Sequence, residues 1–292
     1  MRRVLLALIA CGAVACAAVA CEEPGVVPVD GGAPDAGADV APDVADEPDA
    51  GPEDSGGPAL VWVSTADALW RFNPSEKTLE RVATVSCAAE QLQDLAVDRA
   101  GRLWASTLES LVRIDPTTGE CTRIAKGAYP RSLAFAPPGV LDVGEVLVGF
   151  VQGQYQRIDT KTGAVTFAGA LYPNAIGFPL EASGDLVVLP TGKAYLVALS
   201  PNPAINDVLV QVDLATGQAT RFVAPTNHPS LAGLGAQAGW LYAFAASGKV
   251  YRIAPNNGGT TEVMYMGGDA SAFDGGSIGL AFTGAAVASD AP

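Results

Sequence analysis

The chain has 292 residues, 31 acidic against 17 basic, for a formal net charge of -14. Eleven of the acidic residues lie between Glu22 and Pro58 with no Lys or Arg among them, so the segment from Ala59 onward carries 20 acidic and 15 basic groups. A mildly acidic domain without clustered Lys and Arg excludes nucleic acid as a partner, because binding of that kind needs phosphate neutralisation.

The N-terminus reads Met1-Arg2-Arg3, then an unbroken apolar and small-residue run from Val4 to Ala20, then Cys21 and the polar Glu22-Glu23. A short positive start, a short Ala-rich core and small residues at its end predict a secretory signal over 1–20 and not a membrane-spanning helix. The phrase Ala18-Val19-Ala20-Cys21 resembles the lipobox of bacterial lipoproteins, which implies lipidation of the Cys21 thiol at a new N-terminus. Leu8-Ile9-Ala10-Cys11 and Ala13-Val14-Ala15-Cys16 also fit that pattern, and cleavage by ordinary signal peptidase is a further alternative. Cys21 is preferred because it alone stands where apolar sequence gives way to acidic sequence. The expected location is an exported lipoprotein of the bacterial envelope, on the periplasmic side or at the cell surface, with the membrane reached through the lipid.

Residues 21–58 hold the lipidated cysteine and a run of Asp, Ala, Pro, Gly and Val, as in Asp46-Glu47-Pro48-Asp49-Ala50-Gly51-Pro52. Low hydrophobicity, proline and like charge predict an unfolded tether. A coil of that length spans about 35 Å, and repulsion extends it.

From 59 to 287 the sequence repeats itself. The phrases Leu69-Trp70-Arg71-Phe72-Asn73-Pro74, Leu111-Val112-Arg113-Ile114-Asp115-Pro116, Tyr155-Gln156-Arg157-Ile158-Asp159, Leu209-Val210-Gln211-Val212-Asp213 and Val250-Tyr251-Arg252-Ile253-Ala254-Pro255 align, at steps of 42, 44, 54 and 41 residues. Each is an alternating strand running into a turn rich in Asp, Pro, Thr and Gly, then a second strand, with two more short strands upstream. Four strands per unit of this length is the spacing of a β-propeller blade. The first unit lacks its innermost strand, and Ser277–Gly284 is a spare one whose pattern matches Arg131-Ser132-Leu133-Ala134-Phe135. The fold class is therefore all-β, a five-bladed β-propeller whose first blade is closed by N- and C-terminal strands, with 288–292 as a tail. The longer step is assigned to 170–184 and to an insertion at 201–207.

The repeats resemble the YncE-like, NHL-like and streptogramin-lyase-like propellers. That resemblance implies the fold, in families that mostly have six or seven blades. A streptogramin-lyase-like activity would require a histidine acid/base with acidic partners or a metal.

His228 is the only histidine and sits in a turn, so most general-acid schemes lack their second group. Asp269 and Asp274 could offer oxygens to calcium, and turn chemistry explains them equally. No catalytic or metal-ligand set, and no cofactor, is expected. Cys87 and Cys121 could form a disulfide in an oxidising compartment. Opposing this, the hairpin order puts them nearer opposite ends of neighbouring outer strands. Trp62, Trp70, Trp104 and Trp240 are read as packing between blades.

Loops between blades and loops joining second and third strands emerge on one face, where binding is expected. That face would carry Tyr129, Tyr172, Asn174, Asn227, His228, Asp269 and Asp274, and would suit a protein, peptide or glycan partner. The expected function is a non-enzymatic binding or scaffolding module. The alternative is a propeller lyase or hydrolase with a site near His228, Asp269 and Asp274.

Overall fold

A computed structural model describes residues 60–87, 90–202, 207–265 and 280–288. The first blade contains β1 (Val61–Thr65), β2 (Ala68–Asn73) and β3 (Thr78–Thr84). The second is β4 (Leu92–Val97), β5 (Leu103–Thr107), β6 (Ser110–Ile114) and β7 (Cys121–Lys126). The third is β8 (Leu133–Ala136), β9 (Val146–Val151), β10 (Gln154–Ile158) and β11 (Val165–Ala170). The fourth is β12 (Glu181–Val188), β13 (Ala194–Leu199), β14 (Val208–Val212) and β15 (Ala219–Pro225). The fifth is β16 (Leu231–Gln237), β17 (Trp240–Ala245), β18 (Lys249–Ile253) and β19 (Thr260–Tyr265). Last comes β20 (Phe282–Ala286), which returns to the first blade in the order β20-β1-β2-β3.

The result is a five-bladed propeller. Strands β4, β8, β12, β16 and β20 pack side by side around the axis and back to β4, so no inner edge is left open. Composition follows radius. The innermost strands are mostly apolar and buried, as in β8, whose four residues are all buried, whereas β7 and β11 at the rim are not buried.

The turns between third and fourth strands form for a local reason. Asp115 Oδ1 accepts the N–H groups of Thr117 and Thr118 (2.7 and 3.2 Å), and Asp159 does the same for Lys161 and Thr162. Asn73 plays that part in the first blade. The turns of blades two and three abut the outer strand of the preceding blade, Gly119 against Thr84 and Gly163 against Ala125. A side chain at Gly119, where φ is 73°, would place its Cβ 1.9 Å from the Thr84 carbonyl oxygen.

Between blades the core is aromatic and aliphatic. Phe72 meets Phe244 edge-on with centroids 5.4 Å apart, and Trp104 meets Phe135 at 6.2 Å. Trp70 and Trp104 are buried in these seams, as expected. Trp62 carries Arg71 across its ring at 4.7 Å. Trp240 departs from expectation: it opens β17 at the turn from β16, remains 37% exposed and is covered by Arg252 at 4.3 Å.

Two further readings are corrected or resolved. The closing strand is Phe282–Ala286, later than the 277–284 segment suggested by local similarity, and residues 277–279 lie outside the described residues. Phe282 packs edge-on against Phe244, and this anchor sets Val63 opposite Ala285. The second concerns the cysteines. Cys87 and Cys121 are disulfide-bonded, with Cα atoms 4.9 Å apart. The outer turn of blade two reaches the end of β3, where Ser86 bridges Glu120, and that contact removes the objection drawn from hairpin order.

Candidate functional site

The inner strands all run in one direction, so the topology puts the connectors between blades and the second-to-third-strand loops together on one face. The turns that begin at Asp115, Asp159 and Asp213 belong to the other set. Three large apolar side chains stand exposed on the first set: Leu108 (59%) in the β5–β6 loop, Tyr172 (51%) between blades three and four, and Leu199 (48%) where β13 enters its loop. Nothing in the described structure packs over them.

An anion is fixed on the same face. Glu90, in the connector before β4, accepts hydrogen bonds from the hydroxyls of Ser110 (2.6 Å) and Thr107, and from Arg123 Nη2 (2.9 Å). The Ser110 and Thr107 hydroxyls hold its carboxyl below the usual carboxylate range, despite an opposing effect of burial. This arrangement ties the connector to the β5–β6 loop.

The residues expected on this face fare differently. Tyr129 is buried. It is 6% exposed in the seam between blades two and three and donates its hydroxyl to the Gly163 carbonyl (2.8 Å), and burial raises its phenol. Asn174 is spent on its own loop: its amide donates to the Leu171 and Phe178 carbonyls, and its oxygen accepts the Ile176 and Gly177 N–H groups. Tyr172 and Asn227 are exposed.

His228 stacks on Tyr251, centroids 3.7 Å apart and planes 13° from parallel. Burial, and then the Lys249 charge, lower its pKa, so the imidazole is neutral at physiological pH. Asp269 and Asp274 lie outside the described residues, as does Cys21.

On the axis the structure brings together two carboxyl groups that sequence reasoning did not single out. Asp94 on β4 and Asp185 on β12 are fully buried and interact with each other. Asp94 Oδ2 accepts the Leu133 N–H, from β8, and the Leu95 N–H lies close enough to favour the Asp94 anion. Asp185 accepts the N–H groups of Leu186 (2.6 Å), Leu234 (2.8 Å) and Ala285 (3.2 Å). Backbone N–H groups thus converge on the pair from the innermost strand of every blade. Gly284 leaves the space: a Cβ there would lie 2.2 Å from Asp94 Oδ1.

Burial, then the neighbouring Asp185 charge, pushes Asp94 well above the usual carboxylate range, and burial raises Asp185 against the pull of its backbone donors. The signal was present as an acid just before an apolar inner-strand run, in Asp94-Leu95-Ala96-Val97 and Asp185-Leu186-Val187-Val188. Aligned positions in the other blades are Ser132, Gly233 and Gly284, so no repeated motif marks it. Near the same inner strands lies a small recess lined by apolar residues, among them Phe135, Val187 and Val287.

Comparison with known proteins supports the same architecture. Residues 27–136 match a family model described as a repeat of unknown function, DUF6923, which overlaps the strands from β1 through β8. No curated protein matches the sequence. The chain is similar to one in the crystal structure of a nidogen/laminin complex, with 14% identity over 80% of this chain and 99% of that chain and a TM-score of 0.52. At that identity the likeness concerns fold alone. It also matches, with 13% identity over 78% of this chain and 98% of that chain and a TM-score of 0.41, a protein of unknown function from Bacteroides caccae. The chain is a β-propeller repeat protein.

Proposed function

We propose that this chain is an exported lipoprotein, anchored through Cys21, whose propeller serves as a non-enzymatic binding or scaffolding module for a protein, peptide or glycan partner. The observation that carries the reading is the exposure of Leu108, Tyr172 and Leu199 on loops of one face. Solvent-facing apolar groups on loops held by a rigid ring are suited to contact, and a fixed Glu90 anion beside them adds polarity. The Cys87–Cys121 bond suits an oxidising compartment, and the 21–58 segment supplies reach from a membrane. A hydrolase or lyase centred on His228 draws no support from an imidazole stacked on Tyr251.

Site-specific photo-crosslinking in the cells that make the protein tests this. A photoreactive residue at Leu108, Tyr172 or Leu199 is expected to yield a discrete adduct. The same residue at Val143 or Trp240, exposed on the opposite set of loops, is expected to yield none. Equal labelling from both sets, or no adduct from the first, contradicts the assignment.

A further inference from the structure

We propose that Asp94 and Asp185 share a single proton, with Asp94 as hydrogen-bond donor and Asp185 as acceptor, and that this axial hub makes closure of the five-bladed ring pH-dependent. The geometry assigns the roles. Both Asp185 oxygens already accept backbone N–H groups, from Leu186 on one and from Leu234 and Ala285 on the other, so Asp185 is built as the ionised partner. Asp94 Oδ2 accepts the Leu133 N–H, while its Oδ1 is buried and takes no N–H or O–H donor. Two carboxylates cannot hydrogen-bond each other unless one carries a proton, and Asp94 Oδ1, which lies beside Gly284 while the next N–H, of Ala285, donates to Asp185 Oδ2, is the oxygen left to carry it.

No other charge competes for the role. Among the inner strands, β4 and β12 bring only the two aspartates and the exposed Glu181, while β8, β16 and β20 bring no charged side chain. The second strands β1, β5, β9, β13 and β17 bring none either. A bound cation is disfavoured because the convergent backbone groups are donors, which stabilise an anion.

The folded hub therefore holds a proton that an unfolded chain releases above about pH 4. The native state binds more protons than the unfolded state, so stability falls as pH rises until the folded pair itself deprotonates. Substitution separates the two roles. In Asp94→Asn, the amide donates to Asp185 permanently and no proton is needed. In Asp185→Asn, an NH2 group is set against backbone donors.

Thermal unfolding of the full chain between about pH 5.5 and about pH 9 tests this, with wild-type Tm expected to fall by roughly 3–5 °C per pH unit in the window. Asp94→Asn should lose that slope and melt above wild type at the alkaline end, whereas Asp185→Asn should melt lower throughout. His228, whose lowered pKa gives the opposite sign at the acid end, is common to all three proteins and cancels in the comparison. An Asp94→Asn protein with the wild-type slope, or one as destabilised as Asp185→Asn, overturns the proposal. The infrared spectrum of the wild-type chain at about pH 7 decides without any variant. A protonated-carboxyl C=O band supports the shared proton, and its absence overturns it.

Discussion

Gly284 shows how closely the centre of the ring depends on single atoms. Its missing side chain leaves the space that Asp94 Oδ1 occupies, because an added Cβ would lie 2.2 Å from that oxygen. The Asp94 side chain cannot retreat, since its other oxygen is held by the Leu133 N–H. Gly284→Ala is therefore expected to lower stability by about 1–3 kcal/mol, the usual range for overpacking a core. Gly144→Ala is the control: no atom lies within 4 Å of the added Cβ, so it is expected to stay near wild type. Denaturant unfolding of the two variants checks the contrast, and equal stabilities would contradict it. Residue-scale chemistry of this kind was barely legible in the sequence. A lone acid in an apolar strand reads the same whether its partner is a distant acid, a base or solvent, and Asp94 and Asp185 have no acidic counterparts in the other three blades.

Elements were easier to read, because each blade must solve the same two local problems. An alternating strand followed by Asp or Asn at the turn reports a half-buried hairpin whose carboxyl or amide oxygen satisfies the next backbone donors, and Asn73, Asp115 and Asp159 do so. The position of β20 was harder. Leu280-Ala281-Phe282 looks like Leu133-Ala134-Phe135, yet Ala285 takes the axial place of Leu133, since packing of Phe282 on Phe244 outweighs local likeness. Tyr129 misled for a related reason: an aromatic in a connector is compatible with display or with burial, and only its bond to Gly163 of the next blade decides. At this scale the disulfide gives a direct test. It closes a sequence separation of 34 residues and ties blade one to blade two at the rim. Replacing Cys87 and Cys121 together by Ser should cost about 3–4 kcal/mol, chiefly by freeing the unfolded chain. Reductant should lower the wild-type midpoint to that of the double variant and leave the variant unchanged. A midpoint insensitive to reductant would exclude a contribution from the bond.

For the whole molecule, dividing the charge along the chain matters as much as the fold. Most of the net negative charge precedes Ala59, so under the proposed function the propeller meets its partner through loop geometry and exposed Leu108, Tyr172 and Leu199 more than through a strong field. A display surface made of loops from several blades keeps its shape only if the blades stay in register, and the axial hub is where all five are joined. Native-state hydrogen exchange reads this directly. The amides of Leu95, Leu133, Leu186, Leu234 and Ala285, one from each blade, are expected to exchange together and only through global unfolding, at the slowest rate in the chain. If the amide of any one blade exchanges much faster than the other four, the ring opens locally at that blade, and a single closed unit held at its centre is wrong.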